Sequence, residues 1–190
     1  MTDGGAKKTV AIYGGSFNPP HICHQIAVLY ALESAACDEV WLVPVYRHAF
    51  GKESAPYDVR RELCMSLIEI FPKRARVCDV EKELGGTSRT VDTLEELKRR
   101  YPEIDFKLLM GSDIRSEAHK WKRFDRICEL AEIIWIGRAG QSQEASDTIV
   151  LPDISSSEIR KRIKDGRSLE GLIPARVLAK WHELGRPAFG

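Results

Sequence analysis

The sequence predicts an α/β protein in which a doubly wound, mostly parallel sheet carries helices on both faces. Three observations favour this fold class. Strand-like and helix-like segments alternate along almost the whole chain, which is the order that repeated βαβ units give. The strand-like segments are nearly continuous apolar runs, as expected of strands covered on both sides. No internal repeat and no shift in composition divides the chain, so we expect one domain over residues 1–190.

The composition is that of an ordinary globular protein. Of 190 residues, 43% are hydrophobic and 30% are charged, which provides for one substantial core. The 29 Lys and Arg residues nearly balance the 28 Asp and Glu residues, so the formal net charge is +1. This balance gives no general attraction to nucleic acid or to an anionic membrane, and a small partner is expected. It leaves a homo-oligomer open.

The cysteines and the first residues bear on location. Five cysteines are scattered without a C-x-x-C pair, as expected of reduced thiols in the cytoplasm. Residues 1–8 are polar and lack the apolar segment of a secretion signal. No uninterrupted apolar stretch approaches the length that spans a bilayer. We therefore expect a cytoplasmic protein without a membrane helix.

The first half of the chain predicts three strands and two helices. A β-branched run at 9–12 favours the first strand. Residues 25–34 combine helix formers with a repeating apolar face, and 39–45 contain a buried-type run, so together they form a βαβ unit. After a polar loop, a helix is expected over 57–71, where a proline ends it. A third strand is expected over 75–80.

The second half continues the alternation. A helix is expected over 90–101, and an apolar strand over 106–110 ends at Gly111. A Gly-, Ser- and Gln-rich stretch over 137–146 predicts a loop. The other expected elements are a helix over 123–131, strands over 132–136 and 148–151, and helices over 156–164 and 174–184. Ligands of doubly wound sheets bind beyond the carboxyl ends of the strands, which makes the loops there the candidate site.

The segment after the first strand has the outline of a phosphate site. Gly14 and Gly15 let the backbone turn sharply and bring its amides close to a ligand. A helix opening near His21 would point its free N–H groups and positive dipole end at that ligand. His21 and His24 then share one face of its first turn and can donate hydrogen bonds to phosphate oxygens. The two histidines could also be metal ligands or structural donors, but no Cys, Asp or Glu with ligand spacing accompanies them.

Two further segments lie where a ligand would bind. Gly111, Ser112 and Asp113 follow the fourth strand and combine close backbone approach with a carboxylate, although Asp113 could simply cap a helix. Trp121 lies in a polar segment, which favours a half-exposed indole on which a ligand ring can stack. A core position remains the alternative.

The second specific signal is the segment 153–160, which contains three consecutive serine hydroxyls. Ser155, Ser156 and Ser157 lie at the start of a helix whose free N–H groups can cradle an anion, and Arg160 on its first turn can reach back to a phosphate. A serine followed by an acidic residue is also an ordinary helix start.

These motifs resemble those of the nucleotidyltransferase superfamily that includes the nicotinate and nicotinamide mononucleotide adenylyltransferases. The signature G-x-F-x-P-x-H-x-G-H is matched by Gly15, Phe17, Pro19, His21 and His24, with Cys23 in place of the family glycine. The run 154–160 is similar to the family motif I-S-S-T-x-I-R, with serine in place of threonine. The resemblance implies a Rossmann-like fold. Cys23 is either a packed small residue or, at a helix N-terminus, a reactive thiol.

The resemblance also implies roles for individual residues. His21, His24 and Arg160 would be catalytic. The ATP-binding residues that it implies are Gly14, Gly15, Ser16, Phe17, His21, His24, Gly111, Asp113, Ile154, Ser155, Ser156 and Arg160. Those that it implies for the mononucleotide are Ser16, Lys52, Thr90, Trp121 and Arg138. Arg138 could equally be a solvated loop residue.

Two segments depart from the family pattern or stay ambiguous. Arg89 stands where the family has a tyrosine near the nicotinate nucleotide, and of the family's phosphate-gripping P-P-H-K segment only His48 and Lys52 are present. Arg60 and Arg61 could contact phosphate or form a solvated helix face.

The resemblance implies adenylyl transfer from ATP to nicotinate mononucleotide, giving deamido-NAD and pyrophosphate, with Mg²⁺ accompanying ATP. A sister transferase acting on nicotinamide mononucleotide, phosphopantetheine or glycerol phosphate would share the first motif. A non-catalytic nucleotide sensor is a further alternative, motivated by Cys23.

Overall fold

The computed structural model describes residues 7–47, 53–87, 89–112, 114–115, 117, 121–140 and 149–189. Its strands are β1 (Thr9–Gly15), β2 (Glu39–Pro44), β3 (Ala75–Val77), β4 (Asp105–Gly111), β5 (Glu132–Arg138) and β6 (Ile149–Leu151). They form one sheet in the order β3-β2-β1-β4-β5-β6, and every pairing is parallel. The prediction of a mostly parallel sheet is confirmed.

The helices cover both faces of this sheet. They are α1 (Ile22–Glu33), α2 (Tyr57–Ile68), α3 (Val80–Leu84), α4 (Thr90–Arg100), α5 (Phe124–Leu130), α6 (Ser156–Lys164) and α7 (Ala175–Glu183). One core contains buried residues of α1, α2, α6 and α7. The other contains buried residues of α3, α4 and α5. Neighbouring residues of β1 alternate between the two, Ala11 facing the first core and Ile12 the second, so the sheet is doubly wound as predicted.

The strand order reverses at β1, which pairs with β2 on one side and with β4 on the other. Because all strands are parallel, their carboxyl ends lie along the same edge. A doubly wound sheet leaves a crevice at that edge where the strand order reverses, and ligands bind there. The loop after β1 and the end of β4 therefore flank the position expected for a ligand.

Several boundaries differ from the sequence prediction. The first strand continues past residue 12 to Gly15, and α2 ends at Ile68 rather than at residue 71. The third strand ends at Val77 rather than at residue 80, and the short helix α3 follows, because Val80 turns into the second core. Gly137 and Arg138 were expected in a loop but extend β5, where they pair with Val150 and Leu151. That pairing depends on a strand further along the chain, which local composition does not reveal.

Within these described ranges, no helix is long and apolar enough to cross a membrane.

Candidate active site

Side chains from distant parts of the chain hold the turn that follows β1. Arg160 donates from Nη1 to the carbonyl of Asn18 at 2.8 Å, and the Ser156 hydroxyl donates to the carbonyl of Pro19 at 2.9 Å. The buried Asn18 amide donates to the carbonyl of Phe189 at 2.6 Å and accepts from the N–H of Ala55 at 3.0 Å. The turn is thus fixed by the start of α6 and by the segments around residues 55 and 189.

The two signature histidines lie together at the beginning of α1. Their ring centroids are 3.8 Å apart, and the ring of Phe17 meets His24 edge-on at 5.0 Å. The backbone N–H of His21, the residue that caps the helix, donates to Nδ1 of His24 at 3.0 Å. Because Nδ1 accepts this bond, the proton of a neutral His24 must reside on Nε2. His24 therefore offers one N–H donor, at Nε2.

Both imidazoles are held in the neutral form. Burial, assisted by the positive charge of Arg138, lowers the pKa of His21 to about 3. Burial also lowers the pKa of His24 well below its usual value, with further contributions from His21 and Arg138. At neutral pH the pair can thus donate hydrogen bonds to a ligand without carrying charge, and Arg138 supplies the positive charge.

Buried polar atoms without partners point to a ligand at this place. Nδ1 of His21 and Oγ of Ser112 are buried and have no hydrogen-bond partner among the described residues. His21 is only 3% exposed. An unsatisfied buried polar group costs free energy, and such groups in native structures commonly mark a functional site or a bound molecule.

A cavity of about 50 Å³ brings five elements together at the switch point, namely β1, α1, β4, β5 and β6. It is lined by Tyr13, His21, Cys23, His24, Gly111, Ile136, Gly137, Arg138, Leu151 and Pro152. Gly111 is the last residue of β4, and Arg138 is the last of β5. The structure therefore brings His21, His24, Gly111 and Arg138 to one place, although they are distant in sequence.

The start of α6 lies against the turn rather than free in the cavity. Ser155 caps the helix, its Oγ accepting from the N–H of Glu158 at 3.2 Å. Besides its bond to the turn, Arg160 donates to the hydroxyl of Ser157 at 3.1 Å. Half-buried Ile154 packs against the first core. Ser156 and Arg160 thus donate hydrogen bonds to the main chain of the turn. Their contact with ATP stays a prediction.

Gly14, Gly15 and Phe17 lie in the segment that leads from the end of β1 to His21. The sharp turn predicted at Gly14 and Gly15 is wrong: both residues extend β1, where they pair with Val43 and Pro44, and the chain turns only after them. A Cβ on Gly15 would approach the Phe17 ring to 3.2 Å, so the ring that touches His24 would have to shift. Phe17 itself has a φ of 46°, in the left-handed region that non-glycine residues rarely adopt. The half-buried Ser16 between them presents its carbonyl to Arg60.

Of the residues implied for the mononucleotide, some lie in the described part of the chain and others lie outside it. Thr90 begins α4, and the half-buried Trp121 packs at the edge of the second core. Lys122 ties the Trp121 segment to α4 through an ion pair with Asp92, Nζ to Oδ1 at 2.9 Å. Arg89 lines a second cavity, of about 190 Å³, at the start of this helix. Lys52 and His48, like Asp113 on the ATP side, lie outside the described residues.

The structure corrects both interpretations that the sequence offered for Arg60. Neither a phosphate contact nor a solvated helix face describes it, because it is 2% exposed and its guanidinium donates to main-chain carbonyls. Its neighbour Arg61 does lie at the surface side, where it pairs with Asp79 at 2.9 Å. A main-chain partner leaves no side-chain pattern in the sequence, so no motif could have revealed these contacts of Arg60.

Cys23 is a packed thiol in the wall of the cavity. It is buried, and Sγ lies 3.5 Å from the carbonyl of Pro152, to which its S–H donates. Burial raises the pKa of Cys23, although the charge of Arg138 acts in the opposite direction. The thiol is therefore protonated at neutral pH, which favours the packed residue over a reactive thiolate.

Replacing Cys23 by glycine should leave turnover unchanged or raise it, because a smaller residue widens the cavity and removes no required donor. The variant should also lose any inhibition by thiol reagents that arises at this site. Steady-state rates before and after treatment with a methanethiosulfonate reagent check both points. Cys128, which is exposed, provides the control variant Cys128→Ser. A sharp fall in the activity of C23G would show that the thiol has a role of its own.

The neutral histidines predict a loss of stability in acid. Between pH 6.5 and about 3, His21 is protonated in the unfolded chain but not in the folded one. The unfolded state binds more protons, so the free energy of unfolding falls as the pH is lowered through this window. Urea unfolding at several pH values should show a shallower fall in His21→Asn. The exposed His182 gives the control H182N, and an equally shallow slope there would contradict the explanation.

Comparison with known proteins places this geometry in a family. The sequence model of the cytidylyltransferase-like family matches residues 12–162, from β1 to α6. The chain is 44% identical over 176 residues to a probable nicotinate-nucleotide adenylyltransferase of Anaeromyxobacter dehalogenans strain 2CP-C, covering 90% of this chain and 92% of that one. It is 38% identical to the protein of that name from Myxococcus xanthus, covering 93% of each.

A solved structure shares the fold. The Plasmodium falciparum nicotinic acid mononucleotide adenylyltransferase complexed with NaAD superposes with a TM-score of 0.79 at 20% identity, over 94% of this chain and 96% of that one. The family expected from the sequence motifs is confirmed by the relatives. The chain belongs to the cytidylyltransferase-like family, and within it to the nicotinate-nucleotide adenylyltransferases.

Proposed function

We propose that this chain transfers the adenylyl group of ATP to nicotinate mononucleotide, forming deamido-NAD and pyrophosphate in NAD biosynthesis. The observation that carries the proposal is the cavity at the switch point, where two neutral imidazoles and Arg138 meet. Such a donor set suits phosphate oxygens. The names of the relatives support the choice of substrates.

The reaction asks for positioning and charge stabilisation rather than for a protein nucleophile. The 5′-phosphate of the mononucleotide already carries the attacking oxygen. It forms a bond to the α-phosphorus of ATP as the bond between that phosphorus and the bridging oxygen breaks, and pyrophosphate leaves. The protein must hold the two oxygens in line and stabilise the charge that develops on the leaving group.

The histidines and arginines fit this task. His24 stays neutral and keeps its proton on Nε2, so it can donate one hydrogen bond to a phosphate oxygen. Arg138 reduces the repulsion between two anionic substrates, since its positive charge lies close enough to His21 and His24 to lower their pKa. In this proposal Arg160 and Ser156 hold the turn and offer their remaining hydrogen-bonding capacity to ATP.

A divalent metal belongs to this chemistry, and we propose that Mg²⁺ arrives on the triphosphate of ATP. The polar side chains that line the cavity are imidazoles, a guanidinium, a thiol and a phenol, without a carboxylate among them, whereas Mg²⁺ is usually held by carboxylates and substrate phosphates. No group of three His, Cys, Asp or Glu side chains among the described residues could hold a metal ion. When bound, Mg²⁺ neutralises part of the triphosphate charge.

The setting of the enzyme is part of the proposal. We place it in the cytoplasm as a single domain, without a nucleic-acid or membrane partner, and leave a homo-oligomer open. All five cysteines are free thiols, which supports a reducing compartment. The net charge of +1 supports small anionic substrates over a polyanion.

The acid form of the mononucleotide is the proposed acceptor. Arg89 and Asp92 line the cavity at the start of α4, and Asp92 accepts a hydrogen bond from Lys122, the neighbour of Trp121 in the chain. A guanidinium beside the pyridine ring would favour a carboxylate over a neutral amide.

The test compares acceptors directly. Purified enzyme with MgATP should release pyrophosphate with nicotinate mononucleotide, and kcat/KM should be higher than with nicotinamide mononucleotide, phosphopantetheine or glycerol phosphate. A higher kcat/KM with either of the last two would favour a sister transferase. Equal or reversed values for the two pyridine mononucleotides would contradict the acid preference. Tight ATP binding without any product would favour the sensor.

A further inference from the structure

Arg60 is an arginine of the first turn of α2 whose guanidinium faces inward. Nε donates to the carbonyl of Ala55 at 2.8 Å, Nη1 to that of Ser16 at 2.9 Å and Nη2 to that of Val45 at 2.7 Å. With 2% exposure it is buried as completely as the core side chains around it. Burying a charged group is costly unless its donors are satisfied, and here three main-chain carbonyls satisfy them.

The three carbonyls belong to two loops at the site. Ser16 lies in the turn between β1 and α1, whereas Val45 and Ala55 are the two ends of the loop that joins β2 to α2. Arg60 therefore holds both ends of one loop and ties them to the other. The Asn18 amide makes a second tie between the same loops, through the N–H of Ala55.

The loop after β2 is anchored from a further side. Glu81, only 7% exposed, accepts a hydrogen bond on Oε2 from the N–H of Tyr46 at 3.1 Å. Its charge also acts on Arg60 and counters the lowering of the Arg60 pKa by burial. Buried charges of opposite sign thus fix the beginning of this loop, which carries the mononucleotide candidate Lys52.

A short path of contacts leads from Arg60 to His24. Ser16 is followed by Phe17, whose ring lies 5.0 Å from the imidazole of His24 and 5.5 Å from the ring of Tyr13. The Ser16 carbonyl belongs to the peptide unit that precedes Phe17, so its movement would carry the Phe17 ring with it. Release of Arg60 would then disturb the imidazole as well as the loop.

We propose that Arg60 is a positioning residue that fixes the turn bearing the histidines relative to the loop after β2. The inference rests on the proposed function, since the two loops would hold the two substrates. Arg60 itself touches neither substrate. Its loss acts by misplacing the groups that do, and displacements of about 1 Å caused by remote substitutions can cost on the order of 100-fold in rate.

The experiment uses Arg60→Met, Arg60→Lys and the control Arg61→Met. Arg61 is the next residue on the same helix but pairs with Asp79 instead of the loops. With MgATP and nicotinate mononucleotide, below the melting temperature of each variant, we expect kcat/KM of R60M to fall on the order of 100-fold. The kcat/KM of R60K should lie between those of R60M and wild type, because an ammonium restores the charge but not the geometry in which the guanidinium donates to three carbonyls. R61M should stay close to wild type.

The tautomer of His24 provides a readout that loss of stability alone would not change. In ¹⁵N spectra of histidine-labelled protein, wild type and R61M should show His24 protonated on Nε2. R60M should show a mixture of tautomers or a shifted signal. A folded R60M with unchanged kcat, KM and His24 signals would overturn the proposal. Rates of R60M that fall only in proportion to its unfolded fraction would also overturn the proposal.

An R60M variant that does not fold and a wild-type enzyme without turnover each need a separate interpretation. If R60M does not fold, R60K decides by the same criteria, since an unchanged His24 signal with unchanged kinetic constants contradicts the proposal. If wild type turns over none of the substrates, the proposed function fails, and the His24 signals of folded R60M and R61M alone then support or overturn the positioning role.

Discussion

Replacing His24 by alanine should lower kcat by about 100-fold or more while the chain stays folded. His24 presents a single N–H donor from Nε2, because Nδ1 accepts from the backbone of His21. A donor directed at charge that develops only in the transition state contributes to kcat rather than to KM. The fold should survive, since the truncation removes one hydrogen bond at the start of α1, worth roughly 0.5–1.5 kcal/mol.

Steady-state kinetics and thermal unfolding measured on the same preparations check this expectation. His182→Ala, at an exposed position of α7, controls for the loss of an imidazole as such. A folded H24A enzyme with a kcat close to that of wild type would remove His24 from the mechanism. A rise in KM for ATP without a change in kcat would assign it to ground-state binding instead.

Replacing Trp121 by alanine should raise the KM for nicotinate mononucleotide far more than the KM for ATP. Stacking of a base on an aromatic side chain is worth roughly 1–3 kcal/mol, which corresponds to about 5- to 150-fold in KM. Trp121 is half-buried at the edge of the second core, so one part of the indole packs and the other is accessible. Its segment is held to α4 by Lys122 and Asp92.

The companion variant Lys122→Met loosens this segment but keeps the indole. Its KM for the mononucleotide should rise less than that of W121A, because stacking is retained. Kinetics with each substrate varied in turn, together with melting temperatures, separate the two roles of Trp121. An unfolded W121A, or a defect confined to ATP, would show that the residue belongs to the core.

The strands and helices were largely predictable because their signals are local. Apolar runs such as Val40 to Val43 and prolines or glycines at element ends place most boundaries correctly. The short helix α3 and the extension of β5 over Gly137 and Arg138 were not predictable in this way. They depend on a buried valine and on pairing with β6, both of which are properties of the folded chain.

The candidate site was likewise predictable where its residues are close in sequence, and not where folding brings them together. A spacing of three residues on a helix already places His21 beside His24. That Arg138 joins them follows from the parallel register of β4 and β5, which only the folded sheet shows. Arg60 binds the main chain 44 and 15 residues away at Ser16 and Val45, so its environment has no counterpart in the local sequence.

A single-turnover experiment with ATP labelled at the α-phosphate tests the central claim most directly. Enzyme in excess is mixed with labelled ATP, Mg²⁺ and nicotinate mononucleotide, and the label is followed in wild type and H24A. We expect it to pass from ATP to deamido-NAD in wild type, with release of pyrophosphate and no label on the protein, and to pass far more slowly in H24A. Label that stays in ATP, appears as AMP or becomes attached to the protein in wild type would contradict direct adenylyl transfer at this site.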